Sequence, residues 1–281
     1  MINALLLTAA TPAAAFQMRT AAPRGPMVRA AGPTMHCMLH PVFTINDFDA
    51  AKPLMDECVT ATKAEAGCVY YGWTVSEDKT KLYCRETYVD GKAAMAHLEI
   101  AVPIVGKMLD SGCVALDSIG VMGTAEDMAD VREEADKVGA EYWEVWDSFS
   151  NFEKADGEVA ASANFIAIQP TFTLLDRAKA EPFMKACVEA TKSEAGCVYY
   201  GWTICGDKLF CREAYIDGDA VNAHLANAVP IVGQMLDSGA ATLDRIEFHG
   251  PKAEWGKFAE AAEGVGPAYF DVDASFAKFS L

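Results

Sequence analysis

Two histidines and two glutamates, at matching positions in two parts of the chain, are the residues best suited to acid–base chemistry. His97 and His224 each stand in an Ala-His-Leu triplet, and Glu86 and Glu213 each follow a Cys-Arg pair. Because the unperturbed pKa of histidine lies near neutral pH, either histidine could take a proton from an acidic hydroxyl. The alternative interpretation is a histidine at the edge of the core, hydrogen-bonded to a neighbour.

A buried glutamate beside the histidine would complete such a site, because it would orient the base. Glu86 with His97, or Glu213 with His224, would then form a catalytic couple. The other interpretation of these glutamates, which we favour, is an ordinary salt bridge to a lysine. Arg85 and Glu86 do not pair with each other, since neighbours on a strand point to opposite faces.

Aromatic residues at every second position of a predicted strand could hold a flat substrate. Strand alternation places Val69, Tyr71 and Trp73 on one face. Stacking on Trp73 or Trp202 could hold an aromatic ring, while Tyr71 or Tyr200 orients its oxygen. Packing in the core is the alternative interpretation.

These residues occur in pairs because the chain contains a tandem repeat. Residues 65–74 return unchanged as residues 194–203, at an offset of 129. After a two-residue deletion the offset becomes 127, and residues 101–106 then match residues 228–233. Matches of this length, in this order, indicate a duplicated domain.

Each copy predicts the same order of elements, described here for copy one. An extended segment at residues 38–45 precedes a helix capped by Asp47. Two aromatic and β-branched segments then form a hairpin. The second helix covers residues 93–109, is interrupted at Pro103 and ends at Gly112. A strand, an acidic helix and a last strand follow at residues 116–122, 125–137 and 143–149.

This strand–helix–hairpin–helix–strand order is ferredoxin-like and belongs to the α+β class. The helices cover one face of such a sheet, so the other apolar face needs a partner, which the second copy can supply. The predicted division is a targeting segment at 1–34, domain one at 35–152, a linker at 153–163 and domain two at 164–281.

The motifs carry a resemblance to a known family. Glu-x-Gly-Cys-x-Tyr-Tyr-Gly, Cys-Arg-Glu-x-Tyr, x-His-Leu-x-x-x-x-Pro and the ending His249-Gly250-Pro251 follow one another in order. The chain resembles the antibiotic biosynthesis monooxygenase superfamily, most closely its quinol monooxygenase branch, over nearly all of residues 38–281. The resemblance implies two ferredoxin-like domains pairing into a dimeric α+β barrel, here within one chain.

The resemblance also implies a monooxygenase that oxidises a small quinol or aromatic substrate with O₂ and needs no cofactor. The histidine would remove a proton, and the resulting carbanion would pass an electron to O₂. A non-catalytic plastid ligand-binding or interaction module of the same fold is one alternative. A haem-binding or haem-degrading protein, as in a sister branch, is another, although the histidine ligand position of that branch holds no histidine here.

The copies differ at two positions that bear on substrate binding. Asn227 and His249 stand where copy one has Ile100 and Met122. A polar lining in one copy indicates one working and one structural half, so the sequence favours the pocket at His224.

Composition limits the partners of the chain. A net charge of −17 repels nucleic acid and anionic membranes. No metal motif, phosphate loop or dinucleotide fingerprint occurs in the sequence. We expect a monomer whose two domains form a pseudo-dimer, or a homodimer of such chains. The expected partners are the aromatic substrate and O₂. Six of the nine cysteines recur between the copies among apolar neighbours, which predicts buried thiols.

The first 46 residues contain no Asp or Glu. Their apolar run at residues 2–15 is too short for a membrane span, which argues against membrane insertion. It ends in three alanines before Phe16, and a basic, Pro- and Ala-rich stretch follows. This pattern resembles the bipartite plastid presequences of algae with secondary plastids. A mitochondrial or secreted location is the alternative.

Overall fold

The computed structural model describes residues 36–280, so the predicted targeting segment lies outside the described residues. Copy one forms β1 (Cys37–Ile45), α1 (Phe48–Thr62), β2 (Cys68–Ser76), β3 (Lys81–Tyr88), α2 (Gly91–Asp110), β4 (Val114–Gly123), α3 (Ala125–Asp136) and β5 (Glu141–Ser150). The connection contains β6 (Glu153–Lys154) and a 3₁₀ helix (Ala160–Asn164). Copy two forms β7 (Ile166–Leu174), α4 (Arg177–Thr191), β8 (Cys197–Cys205), β9 (Lys208–Tyr215), α5 (Gly218–Asp237), β10 (Ala241–Gly250), α6 (Lys252–Trp255), α7 (Ala259–Ala262) and β11 (Ala268–Ala277), and β12 (Phe279–Ser280) then pairs with β6.

Local signals explain where the helices begin. The Asp47 side chain accepts a hydrogen bond from the backbone N–H of Ala50 at 3.0 Å, as the N-cap of α1. The predicted interruption at Pro103 is wrong, because α2 runs unbroken from Gly91 to Asp110. Pro103 lies on the exposed side of the helix, so water can reach the carbonyl group that its missing N–H leaves unbonded.

The strands close into one barrel in the order β1-β3-β2-β11-β10-β7-β9-β8-β5-β4. The last strand of each copy joins the two halves. β5 runs parallel to β4 of its own copy and antiparallel to β8 of the other, and β11 does the same with β10 and β2. The prediction of two ferredoxin-like α+β domains that form an intramolecular dimeric α+β barrel is confirmed.

Each layer between sheet and helices receives an aromatic residue from the other copy. Phe276 on β11 stacks on Tyr71 of copy one, with ring centroids 6.2 Å apart. Phe149 on β5 stacks on Tyr200 of copy two at 6.3 Å. The apolar core of each half is therefore completed by its partner half.

The inner face of the barrel differs from the predicted apolar face, because it contains buried polar side chains. Arg85 and Arg212 are buried on this side of the sheet, as are His249 and Glu247. Hydrogen bonds satisfy part of this polar set, including one from the Tyr83 hydroxyl to Glu247 Oε1 at 2.6 Å.

Strand alternation fails at the start of β2. The register with β3 shifts between Cys68 and Tyr70, which is a β-bulge. Val69 consequently belongs to the inner cluster with Tyr70, while Cys68 packs with Tyr71. The prediction that Val69 shares a face with Tyr71 and Trp73 is therefore wrong.

The six repeated cysteines are buried, as predicted. Burial raises the pKa of Cys58 and Cys187 to about 12, so both remain thiols at neutral pH. Within residues 36–280, no helix has the length and apolar character to cross a membrane.

Candidate functional site

His97 of α2 lies between two carboxylates. Its Nδ1 is 3.0 Å from Glu65 Oε1, and its Nε2 is 3.1 Å from Glu86 Oε2. Burial alone would lower the pKa of His97, but Glu86 and Glu65 outweigh burial and raise it to about 9. At neutral pH the ring is therefore an imidazolium that donates hydrogen bonds from both nitrogens.

Copy two repeats this arrangement. His224 Nδ1 lies 3.0 Å from Glu194 Oε2, and Nε2 lies 2.8 Å from Glu213 Oε2. Burial opposes ionisation here too, yet Glu213 and Glu194 raise the pKa of His224 to about 9. The predicted lysine salt bridge for Glu86 and Glu213 is wrong, since both glutamates pair with the histidine.

Close packing of the backbone positions Glu65, the first glutamate of the set in copy one. Glu65 lies in the turn between α1 and β2, which rests directly on α2. A Cβ atom at Gly67 would lie 2.3 Å from the Cβ of Ala93, so only glycine permits this approach. The Lys278 ammonium group donates to the carbonyl oxygens of Lys63 and Glu65, at 2.6 and 2.9 Å. The end of copy two thus helps to hold the turn that carries Glu65.

The second glutamate is held by its own strand. Glu86 lies on β3, and the hydroxyl of Tyr88, two residues on, donates to Glu86 Oε2 at 2.6 Å. Tyr215 binds Glu213 in the same way in copy two. Glu65, Glu194, Tyr88 and Tyr215 were not recognised as site residues from the sequence. Their identity in both copies was the available signal, because all four fall within repeated motifs.

A cavity of about 210 Å³ lies beside His97, between α2 and the sheet. Its apolar lining includes Leu39, Phe43, Tyr71, Trp73, Ala101 and Val105. Glu86 and His97 also line the cavity, so the predicted catalytic couple and the predicted aromatic residues of copy one surround one space. The role of these residues in binding or catalysis stays a prediction.

The matching layer of copy two is built from larger side chains. At the offset of 127, Val121, Met128 and Val131 of copy one are replaced in copy two by three aromatic residues, Phe248, Trp255 and Phe258. Phe248 and Phe258 stack with ring centroids 5.0 Å apart. The corresponding residues of copy one are buried in its core but do not line the cavity beside His97.

Of the two residues that distinguish the predicted pocket at His224, only Asn227 lies near that histidine. His249 is fully buried on the inner face of the barrel, where its Nδ1 lies 2.8 Å from Thr74 Oγ1. It therefore does not share a pocket with His224, which lies on the helix side of the sheet. Asn227 does approach the histidine set, because its side-chain amide donates to Glu194 Oε1 at 3.1 Å.

The tyrosines contribute less polarity to the helix–sheet layer than the sequence suggests. Burial raises the pKa of Tyr71 and of Tyr200 well above the ordinary value, so both remain neutral phenols. The hydroxyl of Tyr71 interacts with the thiols of Cys84 and Cys58. These contacts already engage the oxygen that was expected to orient a substrate.

The two tryptophans of the repeated motif differ in one hydrogen bond. Trp202 Nε1 donates to the carbonyl oxygen of Met184 at 3.1 Å, whereas Trp73 Nε1 is buried without a partner. We expect Trp202→Phe to lower the free energy of unfolding by about 0.5–1.5 kcal/mol more than Trp73→Phe does, because both variants lose the same buried volume and only Trp202 loses a hydrogen bond. Urea unfolding of both variants checks this order, and equal losses would contradict it.

No protein-family model matches the chain, and no curated protein matches it. Among solved structures, a Fusobacterium nucleatum protein described as a candidate monooxygenase matches with a TM-score of 0.57. It is 15% identical and covers 88% of this chain and 97% of its own length. MupZ from Pseudomonas fluorescens is 28% identical over 40% of this chain and 92% of its own length, with a TM-score of 0.36.

A third match is a Listeria monocytogenes ferredoxin-fold protein related to antibiotic biosynthesis monooxygenases. It is 9% identical and covers 78% of this chain and 97% of its own length, with a TM-score of 0.37. The match to the Fusobacterium nucleatum structure confirms the predicted fold. Neither a substrate nor a mechanism follows from these matches.

Proposed function

We propose that the protein is a cofactor-independent monooxygenase that oxidises a small quinol or aromatic substrate with O₂ in the cavity beside His97. The observation that carries this proposal is an apolar cavity of aromatic-ring size whose lining includes the Glu86–His97 pair. A cavity of about 150 Å³ is known to hold benzene. The 210 Å³ found here therefore suits a substrate of one or two rings.

Exposed apolar side chains suit the entry of such a substrate. Val102, Leu109 and Val138 line the cavity and are 52%, 36% and 51% exposed. Apolar residues at the opening of an apolar cavity favour an aromatic molecule over a charged one. Glu134 and Lys137 are the charged residues nearby in the same lining.

The proton acceptor in this proposal is Glu86, because His97 already holds a proton at neutral pH. Glu65, His97 and Glu86 together then carry one net negative charge, in surroundings that disfavour charge. Transfer of the substrate hydroxyl proton to Glu86 moves that charge onto the substrate oxygen. The His97 imidazolium, 3.1 Å from the Glu86 oxygen, stabilises the substrate anion that forms.

The substrate anion then supplies all the electrons that reduce O₂. One oxygen atom replaces a ring hydrogen and the other leaves as water, so that a hydroquinone gives a hydroxyquinone. No external reductant is required. The contribution of the protein is orientation, exclusion of water and the removal of one proton.

Filling the cavity tests this proposal without altering the charged residues. Ala101→Leu places a larger side chain in the cavity, and we expect it to weaken quinol binding and O₂ uptake at least about tenfold, a loss of about 1.4 kcal/mol. Its effect on stability should be small, since it occupies empty volume. Tryptophan-fluorescence titration and an oxygen electrode provide the measurements.

Ala228→Leu is the matched control in copy two. Ala228 is 7% exposed and stands in the more crowded layer, so the added volume should cost about 1–3 kcal/mol of stability. Quinol binding should be retained. The proposal is wrong if the full chain takes up no O₂ with any quinol or anthrone.

The pairing of each histidine with two carboxylates favours one alternative, a ligand-binding protein without catalytic activity. Both ring nitrogens of His97 have a carboxylate partner, and so do both ring nitrogens of His224. A structural role would explain both copies equally. Saturable binding of a quinol with no O₂ uptake, unaffected by Glu86→Gln, would select this alternative.

The haem alternative fits the site poorly. Iron coordination requires a free ring nitrogen, and His97 and His224 have carboxylates at both nitrogens. A porphyrin has four pyrrole rings, whereas the cavity suits one or two. Titration with haem, followed at the Soret band, tests this directly, and we expect no saturable change.

A further inference from the structure

Two arginines on the inner face of the barrel are buried without a carboxylate partner. Arg85 on β3 and Arg212 on β9 occupy matching positions in the copies and are 5% and 2% exposed. Neither takes part in an ion pair with any of residues 36–280. Arginine keeps its charge in proteins, so two positive charges are buried here.

Aromatic rings cover the faces of the guanidinium groups. Arg85 lies 5.4 Å from the ring centroid of Tyr70 and 5.3 Å from that of Phe165, and Arg212 lies 5.5 Å from that of Tyr199. Stacking of this kind leaves the N–H groups at the edge available for hydrogen bonds. Arg85 Nε and both Nε and Nη1 of Arg212 have no partner.

The neighbouring tyrosines do not supply the missing negative charge. Arg85 Nη2 donates to the Tyr70 hydroxyl at 2.9 Å, and Arg212 contacts Tyr199. Burial raises the pKa of both tyrosines although the arginines oppose that shift, so the phenols stay neutral. The buried carboxylate Glu247 interacts with Tyr83 and Arg245 instead.

Both arginines line one small chamber of about 20 Å³ inside the barrel. His40, Gln169 and Phe210 also line it, as does Glu86, whose carboxylate contacts His97 on the helix side of the sheet. About 10–15 Å³ by this measure is enough for one water molecule, so the chamber has room for a single small ion. Burial lowers the pKa of His40 to about 3, which leaves this ring neutral and able to donate one N–H.

The chamber has a route to solvent. A wider cavity of about 480 Å³ shares His40 and Phe210 with the chamber and also contains the exposed residues Lys208 and Arg245. Glu141 and Asp244 line the same cavity, and Asp244 lies 3.0 Å from the Lys208 ammonium group, so the charges along this route balance.

We propose that a chloride-sized anion binds in the chamber lined by Arg85 and Arg212, as the counter-ion of the two guanidinium groups. The edges of the guanidinium groups and the side chain of His40 would donate hydrogen bonds to it. The chamber and the cavity beside His97 lie on opposite faces of the sheet and share Leu39 and Glu86, and the Glu86 carboxylate contacts His97 rather than the arginines. A failure of one proposal therefore leaves the other intact.

Thermal unfolding of the full chain tests the anion site. Sodium chloride at a concentration that fills the site should give a melting temperature about 5 °C higher than sodium gluconate of equal ionic strength. The reason is that an anion that binds only the folded state stabilises that state. Arg85→Gln and Arg212→Gln should each remove most of this difference. Arg132→Gln, an exposed arginine of α3, should retain it. Equal melting temperatures of the wild-type chain in the two salts would overturn the proposal.

Crystallography with bromide gives a test that does not depend on the variants folding. Bromide should replace chloride, and its anomalous signal should appear between the two guanidinium groups. A chamber that holds only water, with bromide confined to the surface, would overturn the proposal.

Discussion

The substitution Glu86→Gln is expected to lower the rate of quinol oxidation by about 10²–10⁴-fold, the usual worth of general acid–base catalysis. Glutamine nearly matches glutamate in size and lines the cavity equally well, but it cannot accept the substrate proton. Binding of the quinol should therefore change much less than turnover. An oxygen electrode measures turnover, and fluorescence titration measures binding.

Glu213→Gln is the matched substitution in copy two. Glu213 corresponds to Glu86 and contacts His224, in a layer that contains larger side chains. We expect this variant to keep most of the O₂ uptake of the wild-type chain. A large loss in Glu213→Gln with little in Glu86→Gln would place the reaction in copy two, as the sequence favoured. Full activity in both variants would exclude either glutamate as the base.

The second large effect is a loss of stability in alkaline solution. Folding raises the pKa of His97 and of His224 from 6.5 to about 9. A group of this kind stabilises the folded state fully below about pH 6.5, and the contribution is lost as the pH rises through about 9. One pKa unit corresponds to about 1.4 kcal/mol, so each histidine contributes on the order of 3 kcal/mol.

Urea unfolding between pH 6 and 10 measures this loss, and NMR of the imidazole groups shows their charge directly. We expect both rings to remain protonated at pH 8. Glu65→Gln and Glu194→Gln remove one carboxylate each, so each should move the loss for its own histidine to lower pH. A free energy of unfolding that stays constant from pH 6.5 to 9.5 would contradict the assignment of two buried imidazolium groups.

The order of the elements could be predicted from the sequence because it depends on local properties. Helical spacing, the Asp47 cap and the aromatic content of the β2 segment are visible in short stretches of residues. The sequence allows Glu86 to pair with His97 or with a lysine, since no local property distinguishes these two partners. Glu65 lies in a turn 32 residues before His97, and only the closed fold brings them together.

Differences between the copies were the hardest feature to predict. Trp73 and Trp202 stand in identical ten-residue segments, yet one indole N–H is bonded and the other is not. The polar substitutions Asn227 and His249 drew attention to copy two, but His249 faces the barrel interior.

The two halves are joined by the pairing of β5 with β8 and of β11 with β2. Because both halves belong to one chain, they need not have the same sequence. In a barrel made from two identical subunits, every substitution appears twice, so a residue that enlarges one cavity enlarges both. Here the halves differ in sequence, and Val131 in one can correspond to Phe258 in the other. One half can therefore be tuned for binding while the other is tuned for stability. The covalent link also makes the closure of the barrel independent of protein concentration, so dilution should leave its melting temperature unchanged.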